Sequence, residues 1–224
     1  MKQTRILWIA IILYIVVFTA ISFWKYDRFL YNGLDLAIYN NVFWNTSQGD
    51  WFRSSIHDPS YLGDHFEPLM LVLLPFTMLW RDPRMLLLLQ TIILALTAIP
   101  IYFIVRFQIA DFRLQILLPL FWLLNPFVHN ANLFEFHMLV FAPFFLFWMW
   151  YFFLKRDFTL FFFSMLGALL VREDVSFIVF MFGVVALFSQ PFLSSQERIE
   201  VRSRNKIFWI LVPILLSTIW FSHP

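Results

Sequence analysis

Long apolar runs alternate with short charged turns along the chain. After Lys2 and Arg5, positions 6–24 run 19 residues without a charge, close to the roughly 20 that an α-helix needs to cross a bilayer. Thr19, Ala20 and Ser22 are small, but no A-x-A cleavage pattern follows and the run is long for a signal-peptide core, so an uncleaved span is expected. Further spans are expected near 85–105, 114–130, 138–154, 158–171, 175–189 and 207–221, about seven crossings in one transmembrane domain over 1–224. The last two before the final span are short, because Arg172-Glu173-Asp174 interrupts the apolar stretch 158–188. Segment 68–80 is apolar but only 13 residues long and is closed by Arg81-Asp82-Pro83-Arg84, which suits an interfacial or re-entrant helix better than a span.

Residues 25–67 form the longest polar segment. Tyr39, Phe43, Trp44, Trp51 and Tyr61 are interleaved with its charges, so it is expected to fold onto the membrane surface. Leu34–Trp44 reads as a short amphipathic helix with Leu34, Ile38 and Val42 on one side.

Charge placement decides the topology. With the N-terminus cytoplasmic and 68–80 not crossing, 10 of the 16 Lys and Arg residues fall inside; if it crosses, only 5 do. The first count obeys the positive-inside rule. It makes 25–84 one extracytoplasmic loop and puts 130–137 and 172–174 on the same side. Ten of the 14 acidic residues then face outward.

Composition narrows the class. The chain has 224 residues, 61% hydrophobic and only 13% charged, against about a quarter charged in soluble domains. This excludes a soluble enzyme or a free nucleic-acid binder; the expected fold is an all-α polytopic helical bundle in the cell membrane. There is no cysteine, which removes disulfides, thiolate catalysis and cysteine-ligated metals.

Three clusters could carry chemistry. The first, Arg172-Glu173-Asp174, cannot face lipid, since each charge at mid-bilayer costs at least about 2.5 kcal/mol. It lines a polar cavity or forms a plain hairpin turn. In Leu133-Phe134-Glu135-Phe136-His137, a carboxylate for acid–base or metal work and an imidazole for a phosphate oxygen or the same metal flank one aromatic; ordinary interfacial polarity is the alternative. Gly63-Asp64-His65-Phe66-Glu67 gathers three such groups with no standard metal spacing, and a solvated loop entry is its bland reading. Asp35, alone in a polar loop, reads as solvated or as a helix cap.

The order of these features resembles the GT-C-fold glycosyltransferases, membrane enzymes that use polyprenyl-phosphate-linked sugars. Leu34-Asp35-Leu36 with Asn45-Thr46, Gly63-Asp64-His65-Phe66, Leu124-Asn125-Pro126, Phe136-His137 and Arg172-Glu173-Asp174-Val175 resemble more closely the domain-of-unknown-function family 2079. The GT-C resemblance implies Asp35 as general base and Glu135 as the second-loop acid, with Phe136-His137 where metal-dependent members carry a second acid. The family's charged triplet corresponds to Arg172, Glu173 and Asp174, with Asp174 counted among the catalytic acids. Asp64, His65, His137, Arg172, Glu173 and Arg53 are expected to bind substrate or phosphate. A divalent cation (Mg or Mn) on Asp35, Glu135 and His137 stays open. The implied partners are membrane lipid and a polyprenyl-phosphate-linked sugar donor. The rival expectations are a transporter or channel, whose charges would reach both faces, and a non-catalytic membrane protein. GT-C enzymes continue through more spans, so the chain is also expected to be an N-terminal fragment.

Overall fold

The computed structural model describes residues 2–56, 60–188 and 205–221, and the described residues are helical with connecting turns and no strand. Helix α1 (Lys2–Asp27) shows why water is not its solvent. It buries one stripe, Leu7, Ile11 and Tyr14, and leaves Ile9, Ile12, Leu13 and Val16 exposed. A lipid phase takes up such a surface without cost. By length and composition, three helical stretches can cross a membrane: Thr4–Asp27, Arg84–Gln108 and Met138–Lys155.

The second stretch is α4 (Arg84–Leu96) followed by α5 (Ala98–Gln108). The two meet at Thr97, where Pro100 has no N–H to offer the Leu96 carbonyl. The Thr97 hydroxyl turns back to donate to the Ile93 carbonyl at 2.8 Å. This long element joins two apolar cores. Leu86 and Leu87 belong to one, with Val42, Phe136, Met149, Phe161 and Val179. Leu94 and Ala95 belong to the other, with Ile11, Tyr102, Leu123 and Val128.

The stretch expected as one span over 114–130 is two helices, α6 (Phe112–Leu123) and α7 (Pro126–Leu133). Leu124-Asn125-Pro126 ends one and starts the next. Asn125 caps α7 by accepting from the Phe127 amide at 2.9 Å, and Pro126 sits at the first turn, where its missing N–H costs nothing. Helix α8 (Ala142–Lys155), entered through a short 3-10 turn at Met138–Phe141, packs on α9 (Phe158–Leu169). Asp157 caps α9. Gly167 lies where any Cβ would strike the Phe145 ring of α8.

Helices α9 and α10 (Val175–Phe188) have 12 and 14 residues, about 18 and 21 Å at 1.5 Å per residue. Both fall short of a hydrocarbon core about 30 Å thick. Their connecting turn meets the segment before α3 (Met70–Leu79), where the Leu69 amide donates to the Leu170 carbonyl at 2.8 Å. At its other end α3 reaches Trp80, whose ring lies edge-on to Phe23 of α1. Helix α3, 10 residues long, therefore starts and finishes near one face of the bundle. Helix α11 (Asn205–Phe221) packs on α10.

The same face collects the end of α1 and the start of α4. Arg84 pairs with Asp27 at 3.2 Å and with Asp82 at 2.8 Å, and Lys25 donates to the Leu133 carbonyl at the end of α7. Residues 25–84 thus leave and re-enter the bundle on one side.

Candidate functional site

Helix α2 (Leu34–Ser47) lies across that face. Leu36, Ile38, Tyr39, Val42, Phe43 and Thr46 are its buried residues. Leu34, expected on the buried side, is exposed; it is the first residue of the helix. Gly33 precedes the helix at φ 81°, in the left-handed region that glycine enters without a Cβ penalty. Its lack of a side chain leaves the helix start to be capped from elsewhere.

Glu135 supplies the cap. Its carboxylate accepts from the Gly33 amide at 2.8 Å and from the Leu36 amide at 3.0 Å, and the residue is 1% exposed. Both oxygens are committed to the N-terminus of α2, where the helix dipole also favours an anion. Gln90 of α4 holds the loop that carries this glutamate. Its amide nitrogen donates to the carbonyls of Ala131, Asn132 and Glu135, and its oxygen accepts from the His137 amide. Thr91 and Tyr14 brace Asn132 from the other side.

Two residues along from Glu135, His137 stacks on Phe134 and brings Nε2 to 3.8 Å from the Asp35 carboxylate. Burial pushes the His137 imidazole down from its ordinary value. The Asp35 and Glu135 carboxylates oppose that shift and Arg172 adds to it. Asp35 and His137 are each about one-third exposed, so the pair opens to solvent on one side.

The third strand of the site comes from the α9–α10 turn. The Glu173 carboxylate accepts from the Phe66 amide at 2.7 Å and bonds the His65 Nδ1 at 2.9 Å. Asp64 lies 4.0 Å from the other His65 nitrogen. Arg172 pairs with Asp174. Burial works against its charge, and Asp174, Glu67 and Glu173 outweigh that cost, so its affinity for the proton rises further. The Arg172 Nε is buried with no hydrogen-bond partner.

Glu67 completes the cluster. It is fully buried and accepts from the Tyr39 and Tyr61 hydroxyls at 3.1 Å each. Burial pushes its carboxyl up to about 7 against the pull of those hydroxyls, His65 and Arg172. The sequence places Glu67 in the Gly63–Glu67 cluster with Asp64 and His65; its partners Tyr39 and Tyr61 carry no local signal. Gln90, a lone amide inside the apolar run 85–105, is itself a signal, since a polar group at that depth needs a partner.

Asp35, His137, Arg172, Glu173, Asp174, Asp64 and His65 therefore meet on one face, with Glu135 beneath Asp35. Arg53 stands apart, beyond the far end of α2, exposed and paired with Asp50 at 3.4 Å. Among the described residues, no three His, Asp or Glu side chains come together as metal ligands. With both Glu135 oxygens bound to backbone amides, Asp35, Glu135 and His137 do not make a ligand set for Mg or Mn. The chemistry open to the cluster is proton transfer by Asp35 and His137 beside a fixed guanidinium.

No curated protein and no solved structure matches the chain. A family model described as predicted membrane protein (DUF2079) matches residues 25–222, a range that takes in every member of the cluster, and the chain belongs to that family.

Proposed function

We propose that the cluster transfers a sugar from a polyprenyl-phosphate carrier to an acceptor hydroxyl on the extracytoplasmic face of the cell membrane, with the N-terminus cytoplasmic. Asp35 is the base. It takes the acceptor's proton as that oxygen attacks the anomeric carbon, the carbon–phosphate oxygen bond breaks, and its electron pair stays on the lipid phosphate. In this reading Arg172 meets that charge, and its Nε is a donor that no group among the described residues uses. His137, kept neutral by burial, can take the proton on from Asp35 across the 3.8 Å between them. Glu135 acts indirectly, by fixing the helix start that carries Asp35. Asp174 orients the guanidinium, while Glu173, His65 and Asp64 tie the loop before α3 to the α9–α10 turn.

The observation that carries the reading is the convergence of a carboxylate, a neutral imidazole and an under-bonded arginine from three segments far apart in sequence. A positioned base accounts for about 10²–10⁴ in rate, and a donor aimed at developing charge for about 10²–10³. In membranes supplied with lipid-linked sugar, Asp35→Asn and Arg172→Ala are each expected to lower turnover at least about 100-fold. Full turnover in both variants would contradict the proposal.

A further inference from the structure

On the face opposite the cluster, α5 ends and α8 gives way to α9. This face carries four exposed cations, Arg106, Arg113, Lys155 and Arg156. None of them forms an ion pair among the described residues. Each lies over an aromatic ring instead: Arg106 on Tyr102, Arg113 on Phe112, Lys155 on Phe107 and Arg156 on Phe153. The carboxylates nearest to them in sequence serve as helix caps. Asp111 accepts from the Arg113 amide at 2.8 Å and Asp157 from the Leu160 amide at 3.1 Å. Arg156 ends α8 at φ 60°, a left-handed position that glycine ordinarily fills. In sequence, the stretch between α10 and α11 brings Arg198, Arg202 and Arg204 against Glu197 and Glu200, so it adds more cations than anions.

A hollow of about 520 Å³ leads to two of these cations. Its lining is apolar throughout and includes Ile104, Trp122, Pro143, Phe147, Trp150 and Phe182. The Trp122 ring nitrogen is taken by the Leu94 carbonyl at 2.8 Å. Both walls run on to a cation. On α5, Phe107 lies one turn beyond Ile104 on the same face, and the Lys155 ammonium sits over its ring at 4.8 Å. On the other side, Trp150 and Phe182 touch Phe153, and the Arg156 guanidinium sits over Phe153 at 5.3 Å. We propose that this site binds one anionic phospholipid of the surrounding bilayer, with its phosphate at Lys155 and Arg156 and an acyl chain in the hollow. The proposal does not depend on the transfer reading. From Pro143 to Lys155, α8 rises about 18 Å, close to the roughly 15 Å of one half of the hydrocarbon core. A hydrocarbon chain needs no polar partner and meets none there. The unpaired cations choose the head, since a zwitterionic head brings its own cation and a net anion gains about fivefold in affinity from each Lys or Arg. A second copy of the chain, docked symmetrically, would bring the same cations face to face.

The test uses the full chain, purified in detergent and immobilised, and measures retention of radiolabelled dioleoyl phosphatidylglycerol or dioleoyl phosphatidylcholine. Phosphatidylglycerol is expected to bind at least about tenfold more tightly. Lys155→Gln and Arg156→Gln are each expected to weaken it about fivefold and to leave phosphatidylcholine unchanged, while Lys155→Arg keeps the wild-type value. Ile104→Trp, which fills the hollow, is expected to weaken both lipids. Ile178→Trp repeats that arm at a half-exposed lining position, where a larger side chain does not endanger folding. Equal affinity for the two lipids, or wild-type phosphatidylglycerol binding when Lys155→Gln and Arg156→Gln are combined, would overturn the proposal. Wild-type binding in both tryptophan variants would overturn it too, because the head would then bind without the hollow. Self-association that the tryptophan variants break, at unchanged lipid retention, would overturn it in favour of a second copy of the chain.

Discussion

Glu135 and Glu67 are both sealed from solvent, yet they meet different partners. Glu135 holds two backbone amides of α2. Removing it strands two N–H groups, and a buried unmet donor costs about 1–3 kcal/mol. Glu135→Ala should therefore lower stability by about 2 kcal/mol or more, with Glu135→Gln less severe because its amide oxygen still accepts one bond. Chemical unfolding in detergent measures this, and an unchanged midpoint for Glu135→Ala would contradict the capping role. Glu67 is held by two tyrosine hydroxyls, and its carboxyl is raised from 4.5 to about 7. An unfolded chain loses this proton near 4.5 and the folded chain near 7. Folding is thus unpenalised by Glu67 below about 4.5, and stability falls as pH rises through the window up to about 7. The loss is on the order of 3 kcal/mol when complete. Glu67→Gln should flatten that part of the profile in thermal unfolding followed by tryptophan fluorescence. Parallel profiles for the two proteins would refute it.

The elements show what can be read from a pattern and what needs three dimensions. The apolar runs at 6–24, 85–105 and 138–154 are long enough to declare their helices by length alone, and the structure has helices there. The break at Leu124-Asn125 carried its own signal, an Asn before a Pro, but the surrounding apolar residues masked it. The roles of Asp35, Glu135 and Gln90 were not legible in this way. Each depends on partners about 40–100 residues away, and no local spacing encodes such a distance. Close packing is another such property. Gly167 has no turn to make, yet a Cβ there meets the Phe145 ring. Gly167→Ala should cost about 1–3 kcal/mol through overpacking between α8 and α9. Adding Phe145→Leu should recover part of that loss, and unfolding curves of the single and double variants decide the matter. No loss in the single variant would show that α8 and α9 are not packed this closely.

At the scale of the molecule, the account rests on where the polar groups end up. Residues 25–84 leave and rejoin the bundle on one side, α3 stays near that face, and α9 and α10 bring their charged turn to it. The charge count along the sequence favours the same arrangement, because a non-crossing segment at 68–80 leaves most Lys and Arg on the opposite side. The chain has no cysteine, so single cysteines report position without background. Phe29, Phe134 and Asp174 lie exposed around the cluster, and Arg156 lies exposed at the turn between α8 and α9. The most direct measurement is labelling of Phe29→Cys, Phe134→Cys, Asp174→Cys and Arg156→Cys in intact cells with a membrane-impermeant maleimide. The first three should react from outside, and Arg156→Cys only after permeabilisation. Labelling of Phe134→Cys and Asp174→Cys from opposite sides would separate Arg172 from Asp35 and His137 and contradict the site.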